Sequence, residues 1–157
     1  MLGIMGGVPK QVDKGLRHAA VVALGELGRS HDYRDRADAG HGLAGFADMS
    51  EAFGLLLELV LDPRDTFVTR RTTQALLRRK DRIGLTIVAS ALAVANPNHS
   101  DWIHTAVVDV LSIFSADRDD AMRLCEEMSQ GADDRVARGA RQLLELLAEI
   151  DPVLRPA

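Results

Sequence analysis

The sequence predicts an all-α chain, a right-handed α-α superhelix (solenoid) of about four stacked helix pairs, and three observations carry that prediction. Apolar residues recur at helical spacing nearly everywhere, β-branched runs are short, and the chain matches itself when shifted by 34 positions. The shift puts Arg29, Pro63, Pro97 and Gly131 in one column. Three residues later come Asp32, Thr66, Ser100 and Asp134, each able to accept hydrogen bonds from the free amides of a first helical turn. Arg36, Arg70, His104 and Arg138 follow, then Leu43, Leu77, Leu111 and Glu145. In the preceding helices Ala19, Phe53, Ile87 and Ala121 align, as do Ala23, Leu57, Ala91 and Cys125. Turn, cap, basic residue and leucine in one register define a repeated helix pair.

Each element follows from that register. First helices are expected at 11–28, 50–62, 83–95 and 118–130, and second helices at 32–47, 66–80, 100–115 and 134–150. The stretch LLELVLDPRDTFVTRRTTQALLRR shows why. Leu56, Leu57, Val60 and Leu61 make one apolar stripe, and Asp62-Pro63 ends it because a residue before proline disfavours the α region. Asp65 or Thr66 can cap the next helix, whose stripe is Val68, Thr72, Leu76 and the aliphatic stem of Arg79. One pair cannot cover its own apolar face, so units 11–47, 50–80, 83–115 and 118–150 must stack around a shared core within a single domain. Leu57, Leu77 and Leu111 belong to that core, and residues 1–10 and 151–157 are expected to be flexible ends.

Composition narrows the class. No apolar run is long enough to span a bilayer, since Asp62, Asn96 and regularly spaced charges interrupt every candidate. The opening MLGIMGGVPK has no basic region followed by a long apolar stretch, so a cytoplasmic location is expected. Cys125 is the single cysteine and can form neither an internal disulfide nor a cysteine-based zinc site. A net charge of −4 argues against a dedicated nucleic-acid binder, and aromatics at 4% argue against a base-stacking surface.

The run DTFVTRRTTQALLRR, placed after an apolar helix that ends in Asp-Pro, resembles a HEAT-type repeat, whose pattern is roughly L-x-D-x-x-x-x-V-R-x-x-A-x-x-A-L. Asp62, Val68, Ala75 and Leu76 take the family positions, while Thr69 stands where the family has arginine and Arg70 follows it. Arg34 to Ala44 and Asp133 to Leu147 match more loosely. The resemblance covers nearly all of the chain after residue 10 and implies a small bacterial HEAT-like α-solenoid acting as an interaction scaffold, with no chemistry of its own. Tetratricopeptide repeats share the 34-residue period, but their tryptophan-leucine-glycine and tyrosine positions are missing.

Catalytic signals are sparse. Asp38 and His41, and His31 and Asp35, have one-turn spacing on a charged segment, which reads as a solvated salt-bridged face rather than a metal site. Gly40, Gly42 and Gly45 lack the strand-loop-helix context of a phosphate loop and fit a close helix approach. His18 and His99 fit packing and turn roles. Trp102 falls in the column of Val68 and Val136, which favours core packing, with an indole edge able to reach a surface.

The functional candidate is the basic column. If second helices line a concave face, as the resemblance implies, Arg36, Arg70, Arg71, His104, Arg138 and Arg141 border a groove for a protein or an acidic peptide, because guanidinium forks suit carboxylates. The competing reading has these arginines pairing with Asp32, Asp35, Asp65 or Asp134 of neighbouring units and bracing the stack. The expected function is therefore a non-enzymatic adaptor or partner-specific inhibitor without cofactor or metal. The alternative is a nucleic-acid-associated HEAT-like protein, with base-excision chemistry like that of some helical-repeat glycosylases.

Overall fold

The computed structural model describes residues 10–156. They form eight α-helices: α1 (Lys10–Leu27), α2 (Tyr33–Ala44), α3 (Ser50–Val60), α4 (Thr66–Leu77), α5 (Arg82–Leu92), α6 (Pro97–Leu111), α7 (Ser115–Ser129) and α8 (Asp134–Glu149). The fold is the all-α solenoid of stacked pairs that the register implies.

The differences from expectation lie at helix ends and have local causes. Side-chain caps of the second helices come from Asp32, Asp65, Asn96 and Asp133, which accept from the amides of Arg34, Phe67, His99 and Arg135. Thr66, Ser100 and Asp134 of the aligned column are thus not the caps. α6 begins at Pro97 rather than at residue 100, because proline at a helix start has no amide left to satisfy and Asn96 covers the next turn. α7 begins at Ser115, earlier than residue 118, without a side-chain cap.

The second helices α2, α4 and α6 stack tightly side by side, and α1, α3 and α5 form the layer beside them. Leu43, Leu56, Leu76, Ile87 and Ile103 are fully buried between the layers. Each such side chain contributes roughly 1.5–3 kcal/mol by leaving water. Leu77 and Leu111 are buried as expected, but Leu57 is only half-buried because its neighbour Leu56 takes the inward position. Gly40 sets the α2–α4 distance: a Cβ there would lie 2.0 Å from Thr72 Oγ1.

The last pair joins differently. α8 packs on α7 and along α5, and touches α6 only lightly. Gly139 permits this approach, since a Cβ at that position would lie 1.8 Å from the Ala89 carbonyl oxygen. Arg135 Nε donates to the Ser90 carbonyl alongside. α5 is consequently buried almost all round, through Leu85, Ile87, Val88, Ala89, Ser90, Ala91 and Leu92. The aligned first-helix columns change environment along the chain for this reason. Ala19 and Phe53 are exposed, whereas Ile87 and Ala121 are covered.

Residues 151–157 were expected to be a flexible end, yet the chain is tied down as far as Leu154. The Val153 and Leu154 amides donate to the Ser112 and Ile113 carbonyls, at 2.9 and 2.7 Å, and the Ser115 amide donates to Leu154. The flexible start expected at 1–10 lies outside the described residues except for Lys10, which opens α1. Among the described residues no helix is long and apolar enough to cross a membrane.

Candidate functional site

Arg36, the first member of the basic column, is withdrawn from solvent at 2% exposure. Its Nε donates to Asp62 Oδ2 at 2.7 Å and its Nη2 to Asp62 Oδ1 at 3.3 Å, while Nη1 donates to the Ser30 and His31 carbonyls at 3.0 Å each. Asp62 Oδ1 also accepts from the Arg64 and Asp65 amides, both at 2.9 Å. Burial pushes the Asp62 carboxyl up, but the Arg36 guanidinium and these two amides outweigh it and hold the group below the usual carboxylate range. Four of the five Arg36 N–H groups are thus used inside the fold. Arg36 therefore braces α2 against the α3–α4 turn, through Asp62 rather than the aspartates considered from the sequence, and the pair forms part of the wall of a cleft that Gly25, Gly28, Leu55 and Pro63 also line.

Arg70 lies on the exposed side of the α2–α4–α6 layer. Its Nε and Nη2 meet Asp109 at 2.7 and 3.1 Å, linking α4 to α6, and Gln74 Nε2 donates to the same carboxylate at 2.8 Å. The Arg70 hydrogen bond holds the Asp109 carboxyl below its ordinary range, against a smaller opposing effect of burial. The Arg70 guanidinium also sits 5.9 Å from the Trp102 ring centre, a cation–π distance. Trp102 is half-buried at this surface rather than in the core.

Two aromatic side chains that the sequence reading passed over extend this patch. Tyr33 opens α2 and Phe67 lies in the first turn of α4, 43% and 48% exposed, with their rings edge to face at 5.7 Å. Arg34 lies 5.9 Å over the Tyr33 ring. The row Tyr33, Phe67, Arg70, Trp102 thus crosses three successive second helices. Its signal was available, because Tyr33 and Phe67 are 34 residues apart and share a repeat column. Half-buried Arg71 and exposed Arg78 stand on the same helix or at its end, and among the described residues neither makes an ion pair.

The remaining members of the column are not brought into that row. His104 faces a cleft between α6 and α8. Arg138 and Arg141 are exposed on α8, where Arg138 approaches Asp134 at 3.4 Å and Arg141 donates to the Ser129 carbonyl at 3.2 Å. Because α8 lies on α5, these two belong to a different side of the molecule. The single basic groove expected from the sequence is divided in three by this geometry.

Elsewhere, Cys125 is buried in the core and its thiol is pushed up to about 12, first by burial and then by Glu126, so it stays protonated at neutral pH. Among the described residues no three His, Cys, Asp or Glu side chains converge as metal ligands. No family model matches the chain, and no curated protein matches it. A crystal structure of an engineered protein from the Northeast Structural Genomics Consortium is similar over 92% of this chain and 69% of that one. The identity is 18% and the TM-score 0.36, a level of likeness that carries no argument about function.

Proposed function

We propose that this chain is a cytoplasmic, non-enzymatic protein-binding module of HEAT-like type, and that its α2–α4–α6 face docks an acidic segment of a partner protein. The observation that carries the reading is the exposed row Tyr33, Phe67, Arg70 and Trp102. The whole chain has only four phenylalanines, one tyrosine and one tryptophan, yet three of these six rings gather on this face. Tyrosine, tryptophan and arginine are the residues that dominate binding energy at protein interfaces. Charge points to the partner's chemistry. Between Thr66 and Leu77 α4 carries Arg70 and Arg71 and no acidic residue, and Arg78 follows.

The test is selection of peptides from a random display library against the folded protein. Enriched sequences should be acidic, and should lose binding when Phe67→Ala and Arg71→Glu are combined. Enrichment of neutral or basic peptides, or binding that survives the double substitution in a protein of unchanged helicity, would overturn the reading. Tight binding to duplex DNA that weakens steeply with salt would instead favour a nucleic-acid role.

A further inference from the structure

The departure of α8 from the stack opens a cleft of about 540 Å³ between α6 and α8. Leu92 and Leu146 give it apolar surface, His104 lines it from α6, and Glu145 and Glu149 line it from α8. Among the described residues neither glutamate makes an ion pair, although they sit one turn apart with like charge, an arrangement that costs stability on a helix. The C-terminal ends of α5 and α8 both lie at this cleft, and their partial negative charge adds to that of the glutamates. The N-terminus of α6 opposes them, but the Asn96 side chain covers the His99 amide there.

The repeat register gives this cleft its meaning. At the two preceding positions of the same column, Arg36 and Arg70 each insert a guanidinium against a carboxylate, Asp62 and Asp109. At the third position the residue is His104, which brings no guanidinium and shares the cleft with the exposed Glu145 and Glu149. We propose that this cleft binds an arginine or lysine side chain presented by a partner protein, whose charged head sits between His104 and the two glutamates while its stem lies on Leu92 and Leu146. The two glutamates and the two helix C-termini offer that charged head its complement, and the leucines offer its stem an apolar bed. This site is separate from the α2–α4–α6 face, so it stands or falls independently of that reading.

The probe is acetyl-Leu-Arg-Leu-amide, titrated into the isotopically labelled protein and followed by the backbone amide resonances. Shifts should concentrate at Ser100, His104, Leu146 and Glu149. Combining Glu145→Gln with Glu149→Gln should weaken binding about tenfold, the loss of roughly one RT ln 10 of affinity. The same charge change placed elsewhere, Asp13→Asn with Glu126→Gln, should leave binding unchanged. His104→Arg should compete from within, weakening the peptide while raising the melting temperature. Overturning results are equal binding of the citrulline version of the peptide, equal loss in both double variants, or shifts that avoid the cleft.

Discussion

The first three helix pairs and the last one differ in how they are held. α2, α4 and α6 are linked in sequence by charged braces: Arg36 to Asp62 below α4, then Arg70 to Asp109 between α4 and α6. Among the described residues the α7–α8 pair has no such brace to α6. It is held by backbone proximity at Gly139 and Ala89, by the ties of Val153 and Leu154 to the α6–α7 linker, and at its rim by the ion pairs Lys80–Asp117 and Arg82–Glu127, which reach the start of α5 rather than α6. The comparison teaches that one repeat register can carry two packing solutions. A brace needs an arginine and a carboxylate in step, and a close crossing needs only that a side chain be absent.

Replacing Arg36 breaks the braced region most severely. Arg36→Met strands the buried Asp62 carboxylate and should cost roughly 3–5 kcal/mol in chemical denaturation. Gly139→Ala attacks the other region, where the new methyl meets backbone rather than a side chain that could swing away. It should cost about 3 kcal/mol, at the upper end for overpacking. Hydrogen exchange should then quicken in α5 and α8 while α2 and α4 stay protected. Arg70→Met should cost only about 1 kcal/mol or less, because this pair is partly solvated. A loss as large as that of Arg36→Met would mean that both braces are equally deep.

Acid sharpens the same contrast. Asp62 and Asp109 are both held below the ordinary carboxylate range, so the folded state binds fewer protons than the unfolded chain as pH falls. Their stabilisation is fully present above the unfolded value of about 4 and is lost as pH drops through the folded values. Denaturation midpoints measured across that range should fall steeply in the parent protein. In Arg36→Met the fall should be shallower, because burial, which raises the Asp62 carboxyl, is then opposed only by the Arg64 and Asp65 amides. The smallest expected effect is a gain. Thr69 is fully buried and its hydroxyl has no partner among the described residues, so Thr69→Val should stabilise by about 1 kcal/mol.

The helices were legible because their periodicity and breaks are local properties. Pro63 and Pro97, three residues or fewer from Asp65 and Asn96, mark turns that any shift of 34 exposes. The caps were less so, since Ser100 and Asn96 are chemically equivalent candidates and only the backbone at Pro97 decides between them. The path of α8 was not legible at all. Its apolar stripe, with Ala137, Ala140, Leu143 and Leu147 buried, announces a helix that must pack on something but does not name α5 over α6. The basic column is spread over different surroundings for a related reason. Repeat position assigns a residue to a helix, whereas exposure depends on neighbours such as Asp62, 26 residues away from Arg36. Tyr33 and Phe67 were visible in the register, but an aromatic in a helical column reads first as core.

The seating of α8 on α5 also limits how the array can lengthen. Between α2 and α6 each second helix presents a similar flank, so a duplicated unit inserted at the α4–α5 turn would find neighbours on both sides. Beyond α6 that flank is already lost to the cleft, and the outer side of α5 is already covered. A pair packed against α8 would meet a helix seated on α5 rather than on α6, so it would continue the array along a different line from the one that α2, α4 and α6 set.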